Sequence, residues 1–227
     1  MKIKTILISS VAIAATVGTA QSCMAIATSS FGLNIIKKIL LGGITKSLGI
    51  FKNKQAFLEN DLIDQAMPSQ LRSINNILSQ IAPGLVAKEK DYIAQAAAYT
   101  VNISEPILIN AVNSLTADDV TRIANGAPGT ATQVLKEKSA SQIAAAIMPK
   151  VDEKLNQFGI VSSINTALQG SNLLGSIFGN NHQGAANVSA TGGLSRYASE
   201  QMVDGLFNLI ENYERQNSAE IKSALGK

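Results

Sequence analysis

The residue types that most often carry chemistry are nearly absent from this chain, which has one histidine and one cysteine among 227 residues. A metal site needs several ligands, so no site of the usual His/Cys type can be assembled. A Ser-His-Asp triad would have to use His182, which lies in a stretch rich in Gly, Asn and Ser. We expect a flexible loop there, over residues 169–193, and a loop positions a catalytic base poorly. The sequence therefore predicts neither a metal nor a cofactor.

The acidic residues are explained more simply by helix structure than by catalysis. Asp118 and Asp119, followed by Arg122, have the composition of a catalytic acid group. First-turn carboxylates and an exposed ion pair three or four residues apart account for the same pattern. Asp152 and Glu153 are adjacent on a predicted helix and so point apart. A hydrolase built from scattered Asp and Glu is the third and weakest hypothesis for the function.

Residues 107–135 contain a helix end, a capped short helix, a stop and a second helix start. Thr116 and Asp119 have the spacing of a capping box, in which each side chain meets the backbone N–H of the other residue. The apolar side of this short helix is predicted from Ala117, Val120, Ile123 and Ala124. Gly126 suits the left-handed position that ends a helix.

The remaining pattern predicts further helices, separated by breakers. After the turn at 128–129, Thr130 or Thr132 starts a helix, and Pro106 either kinks its helix or starts a new one. Gly205, inside the last long helix, indicates a close helix contact. The other expected helices cover residues 58–67, 68–81, 87–104 (with Tyr92, Ala96, Tyr99 and Ile103 on one side), 139–158, 194–215 and a short one ending near 225.

Composition favours helices packed on helices. The chain is 46% hydrophobic but only 4% aromatic, and it has no Trp, so Ala, Ile and Leu must fill the core. We predict an all-α fold: a compact multi-helix bundle with the Gly/Asn/Ser-rich loop before the last long helix. Residues 59–227 are predicted to form this single helical domain.

The N-terminus has the pattern of an export signal. Lys2 and Lys4 precede an apolar stretch and small residues, which predicts a secretory signal peptide over residues 1–22. Cys23 then stands where bacterial lipoprotein processing would attach lipid, although Ala20 occupies a position where Leu is usual. Cleavage after Ala20 is the alternative. We therefore expect an exported protein, lipid-anchored in the bacterial envelope facing the periplasm or, alternatively, soluble in the periplasm.

A basic arm follows, over residues 23–58. All 16 acids lie from Glu59 onward, among 12 Lys and Arg, so the body is mildly acidic and the arm is positively charged. An apolar stripe with no acids indicates an amphipathic helix that lies on a membrane surface or a first helix that docks on the core, and the two are not exclusive. The lysines predicted to contact the membrane surface are Lys37, Lys38, Lys46, Lys52 and Lys54. The body offers no basic, aromatic face for nucleic acid.

Several separated segments resemble one family. Residues 106–112, 115–119 and 123–126, then Ala131-Thr132 and Lys138-Ser139, are similar to a family of small exported bacterial proteins known as domain of unknown function 4197. Residues 194–197 and 203–207, with Glu211 and Glu214, resemble its C-terminal signature. The resemblance implies an all-helical envelope protein and carries no activity. The tail after Glu214 departs from the family pattern.

These observations favour a non-enzymatic envelope lipoprotein that binds a partner or the membrane surface. A carrier that holds a hydrophobic small molecule between its helices is the alternative. The expected partners are the membrane surface and either a protein or a hydrophobic ligand, with no nucleic acid.

Overall fold

A computed structural model describes residues 30–159, 162, 163, 166 and 190–224. The predicted signal peptide, Cys23 and His182 lie outside the described residues. So does the predicted loop up to residue 189, whereas Ala190 to Gly193 are helical and were wrongly included in that loop.

The described residues are helical throughout apart from short connections, so the prediction of an all-α compact bundle is confirmed. The helices are α1 (Ser30–Lys52), α2 (Lys54–Leu58), α3 (Asp61–Gln65), α4 (Ser69–Ile81), α5 (Pro83–Asn113), α6 (Ala117–Asn125), α7 (Thr130–Gln157), α8 (Ala190–Gln216) and α9 (Ser218–Ala224). Over this part of the chain, no helix combines the length and the apolarity that crossing a membrane requires.

Helix α8 lies at the centre of the bundle. It packs against α1, α3, α4, α7 and α9, so residues are buried on most of its circumference, including polar Ser195, Ser199 and Gln201. The close contact predicted at Gly205 exists: a Cβ there would lie 3.3 Å from the Cα of Ile63. Gln201 also donates to the Ile63 carbonyl oxygen, at 3.3 Å. The backbones of α3 and α8 therefore approach closely at this glycine.

Helix α1 buries its apolar side in the same core. Six residues of its stripe are at most 4% exposed: Ile36, Ile39, Leu40, Ile44, Leu48 and Phe51. The glycines at 42 and 43 let α1 approach α8, because a Cβ on either would lie within 3.3 Å of the Tyr213 side chain. Of the two arrangements that the sequence allowed for this helix, docking on the core is the one observed.

Two prolines lie inside long helices rather than at their ends. Helix α5 continues through Pro106, and α7 continues through Pro149. Both prolines are exposed, and on that side water can bond the carbonyl that a proline leaves without its N–H partner. Pro106 therefore does not start a new helix.

Most of the side predicted for α5 faces the core, because Ala96 is buried and Tyr92 and Ile103 pack against the core. Tyr99 is 50% exposed, whereas Glu89, Ile93, Ala97, Thr100, Val101 and Ser104 are buried. In α6, Ala117 is likewise exposed although the stripe predicted it inside. Alanine and tyrosine are tolerated on either side of a helix, so neither residue determined the orientation.

Candidate functional site

The start of α7 is held by a buried carboxylate from the far end of the chain. Helix α7 begins at Thr130 and receives no side-chain cap from its N-cap residue, Gly129. Glu214 Oε1 instead accepts from Gly129 N at 2.9 Å and from Ala131 N at 3.1 Å. Glu214 Oε2 accepts from Thr132 N at 2.7 Å. These bonds satisfy amides that an α-helix leaves free at its N-terminus, and the helix dipole favours the negative charge there.

Gly129 allows a second pair of side chains to lie directly on this turn. Its φ of +106° is in the left-handed region, and a Cβ would lie 2.8 Å from Glu211 Oε1 and 3.1 Å from Arg215 Nη2. Arg215 donates to Glu211 Oε1 from Nε at 2.8 Å and from Nη2 at 2.5 Å. A larger residue at 129 would displace this ion pair.

A surface cleft of about 330 Å³ lies between the first turns of α7 and the last turns of α8. The Glu211–Arg215 pair lies at the Gly129 end of the cleft. Farther along α7, Lys136 lines the cleft and pairs with Asp204 at 2.8 Å. Helices α7 and α8 are antiparallel here, so the Lys136–Asp204 pair lies at the opposite end of the cleft from the Glu211–Arg215 pair. Its other polar lining residues are Thr130, Thr132, Gln133 and Asn208.

A smaller pocket of about 80 Å³ lies on the other side of the 127–128 turn. Its lining includes Ile123, Ala124 and Ile221 together with Glu214. Glu214 therefore holds the segment that separates the pocket from the cleft. We take the cleft and this buried carboxylate as the candidate site.

The predicted capping box is present at α6. Thr116 Oγ1 accepts from Asp119 N at 3.3 Å, and Asp119 Oδ2 accepts from Thr116 N at 2.8 Å. Lys138 also bonds Asp119 Oδ2, at 2.9 Å. Desolvation, the largest single effect, raises the pKa of Asp119, but the bonds from Thr116 and Lys138 outweigh it and leave the pKa below its usual value.

Two expectations for the same stretch are corrected. Arg122 does not pair with Asp118 or Asp119; it forms a bidentate pair with Glu137 of α7, at 2.5 and 2.7 Å. Gly126 ends α6 but has φ −87°, so it is not left-handed. Glycine is required there because there is no room for a side chain: a Cβ would lie 2.2 Å from Thr130 Oγ1.

The lysines predicted to contact the membrane have different environments. Lys37 Nζ donates to the Asn113 carbonyl oxygen at 3.1 Å, and Lys46 lies over the Tyr213 ring. Lys54 pairs with Asp91. Lys38 and Lys52 are exposed, with no partner among the described residues.

A second buried carboxylate, Glu89 of α5, has no partner. It is 0% exposed, and neither of its oxygens accepts a hydrogen bond from the described residues. Burial raises the pKa of Glu89 to about 7, and Lys90 opposes this only weakly. Asn75 of α4 also has an unpartnered buried oxygen, Oδ1. Both residues lie seven positions from Ala82, which joins α4 to α5.

Sequence reasoning missed the roles of Glu214 and Glu89 for different reasons. Glu214 meets amides more than 80 residues away, and no spacing rule connects positions so far apart. Glu89 follows the period of the buried residues Ile93, Ala96 and Ala97, and that period was the available signal. Over the described residues, no group of three or more His, Cys, Asp and Glu is arranged to hold a metal ion.

Comparison with known proteins identifies the family. The family model described as "Protein of unknown function (DUF4197)" matches residues 28–225. The chain belongs to this family. The matched region includes all of α1 and the Glu214 end of α8, so the whole bundle described above is within the family match. No curated protein and no solved structure matches the chain.

Proposed function

We propose that the protein is a non-enzymatic lipoprotein of the bacterial envelope, held at the membrane by lipid on Cys23 and by the exposed side of α1. The observation that carries this proposal is the composition of that side. Phe31 is 62% exposed, Lys38 and Lys52 are exposed and have no partner among the described residues, and α1 contains no acid.

The position of Cys23 supports the same arrangement. Ser30, where α1 begins, lies seven positions after Cys23 in the sequence. A fully extended segment of that length spans at most about 25 Å. A lipid on Cys23 would therefore keep the first turn of α1, with exposed Phe31, near the bilayer surface.

The two contacts would act together. A single acyl chain gives marginal and reversible membrane binding, whereas a second signal makes anchoring stable. Each lysine close to an anionic surface contributes about 1 kcal/mol. Lys37 and Lys54 contact Asn113 and Asp91, and Lys46 lies over the Tyr213 ring, which supports a smaller contribution from these three lysines. We expect Lys38 and Lys52 to matter most.

The anchor is tested by the intact mass of the native protein extracted from the membrane fraction of its own host. We expect the mass of a chain that begins at Cys23 and carries diacylglycerol. A chain that begins at Gln21 and is recovered from the soluble fraction would contradict the lipid anchor.

The surface contact is tested separately, with the unlipidated chain from residue 24 and vesicles that contain phosphatidylglycerol. Lys38→Glu with Lys52→Glu should abolish co-sedimentation with the vesicles at low salt. Lys88→Glu with Lys90→Glu makes the same change in net charge on α5, where both lysines are exposed, and should leave most of the binding. Equal losses in the two double variants would contradict a specific role for α1.

Neither the cleft nor the pocket, both formed by described residues, supports the alternatives. A carrier of a hydrophobic molecule needs an enclosed apolar cavity, whereas the cleft is open and only partly apolar and the pocket is only about 80 Å³. A hydrolase needs two carboxylates on one cavity. Glu214 is bonded to three amides, and Glu89 lines neither the cleft nor the pocket.

A further inference from the structure

The hydroxyl of Thr132 differs from other buried hydroxyls of the bundle. Thr100, Ser139 and Ser199 each donate to a carbonyl three or four residues earlier in their helix, at 2.7 Å. Thr132 is 2% exposed, and its Oγ1 has no partner among the described residues. A buried polar group left without a partner costs about 1–3 kcal/mol. A bound molecule would remove that cost.

Thr132 lines the cleft between α7 and α8. The volume of about 330 Å³ lies at the lower end of the range for small-molecule sites, roughly 300–1,000 Å³. The cleft therefore provides the space for a ligand, and Thr132 Oγ1, which is shielded from solvent in this structure, would reach that ligand by turning toward the cleft.

The charges around the cleft do not favour an ion of either sign. Each cation is already paired with a carboxylate, Arg215 with Glu211 and Lys136 with Asp204. An anion would meet these carboxylates, and a cation would meet the guanidinium and the ammonium group. A neutral ligand has neither cost.

The cleft contains hydrogen-bond acceptors that have no partner among the described residues. Asn208 donates from Nδ2 to the Leu62 carbonyl oxygen, and its Oδ1 has no hydrogen-bond partner among the described residues. Gln133 donates from Nε2 to the Glu137 carboxylate, and its own Oε1 likewise has no partner among those residues. Among the described residues, Oε2 of Glu211 is also unused, since both bonds from Arg215 end on Oε1.

Donors accompany these acceptors along the same cleft. They are the Thr132 hydroxyl and the remaining N–H groups of Lys136 and Arg215. A ligand that matches both sets must donate and accept at several adjacent positions. Hydroxyl groups do both.

We propose that the cleft binds a small, neutral, polyhydroxylated molecule, such as a sugar ring or a cyclic polyol. Its hydroxyls would bond Thr132 Oγ1 and the free amide oxygens of Gln133 and Asn208. This site is independent of the membrane contact of α1.

The test is an NMR titration of the unlipidated chain from residue 24. The probes are glucose, N-acetylglucosamine and myo-inositol, each added separately to millimolar concentration, with inorganic phosphate and putrescine as charged comparators. At least one neutral probe should shift the amide signals of residues 129–136 and 207–215 in a saturable manner. Neither charged probe should do so.

Variants assign the binding to the cleft. Thr132→Val should weaken binding about tenfold, as expected for one lost buried hydrogen bond. Gln133→Ala, at an exposed position, should weaken binding without endangering the fold. Thr100→Val is the control, because its hydroxyl is buried but bonded within α5. The proposal is wrong if no neutral probe shifts these signals, if phosphate or putrescine binds better, or if Thr132→Val and Gln133→Ala both bind as the wild type does.

Discussion

Two buried carboxylates in this bundle have opposite surroundings. Glu214 is 3% exposed and meets three backbone amides at the start of α7. Glu89 is 0% exposed and meets no donor among the described residues. The first stabilises a helix start and joins the two ends of the bundle. The second is a carboxyl whose burial favours the protonated, neutral form and raises its pKa to about 7. Burial alone therefore does not determine whether an acid stabilises or destabilises the fold. The hydrogen-bond donors around the carboxyl determine it.

The largest effect is expected from Glu214→Ala. The change leaves three buried amides without an acceptor and removes a negative charge from a helix N-terminus, so the free energy of unfolding should fall by about 3–5 kcal/mol. Urea denaturation measures it. Glu211→Ala, one turn earlier on α8, removes only a surface ion pair and should cost less than about 1 kcal/mol. Similar losses in both variants would refute the special role of Glu214.

The next effect concerns pH and Glu89. Its pKa is about 7 in the folded protein, against an ordinary value of 4.5. A raised pKa means that the folded state binds the proton more tightly. The stability is therefore fully present below about pH 4.5 and is lost as the pH rises through 7. The loss should be on the order of 3 kcal/mol.

Glu89→Gln replaces the protonated carboxyl with a neutral group of the same shape, so this part of the pH dependence should vanish. Urea midpoints between pH 4.5 and 8 compare the two chains. Glu220→Gln, at an exposed position on α9, is the control and should retain the wild-type slope. Parallel pH profiles for wild type and Glu89→Gln would show that Glu89 titrates normally.

A smaller effect is expected at the turn that Glu214 holds. Gly129→Ala places a Cβ in the left-handed region and against the Glu211–Arg215 pair, which should cost about 1–2 kcal/mol. Gly84→Ala is the matched control: it lies in a helix with open space around it and should be neutral or slightly stabilising. Thermal denaturation of both variants tests this. Equal melting temperatures for the two would argue against strain at Gly129.

The smallest effect is expected at the exposed cap of α6. Thr116→Ala removes a local side-chain cap and should cost about 1 kcal/mol, well below the loss for Glu214→Ala. Thr121→Ala removes a hydroxyl that only bonds back to the Ala117 carbonyl oxygen and should change stability by less than about 0.5 kcal/mol. A loss at Thr116 as large as that at Glu214 would show that burial of the cap is unimportant.

Local pattern was sufficient for much of the fold. The all-α class, the cap formed by Thr116 and Asp119, the turn before Thr130 and the close contact at Gly205 all follow from residue types and short spacings. Such features depend on neighbours within one or two helical turns. The same reasoning was wrong where two orientations are locally equivalent. It placed Ala117 inside, and it paired Arg122 within its own helix rather than with Glu137 of α7.

The candidate site was beyond local reasoning. By itself, the sequence determined the all-α class and that few catalytic chemistries are available, because periodicity and residue counts state these directly. It was wrong about several helix ends, such as the one expected near Pro106, which lies inside α5. Only the tertiary structure decided that Glu214 caps α7, that Glu89 meets no donor in the part of the chain that the structure describes, and that Thr132 and Arg215 line the same cleft. The physical reason is that hydrogen bonds and desolvation depend on which groups meet across the bundle, and helix packing brings together residues more than 80 positions apart.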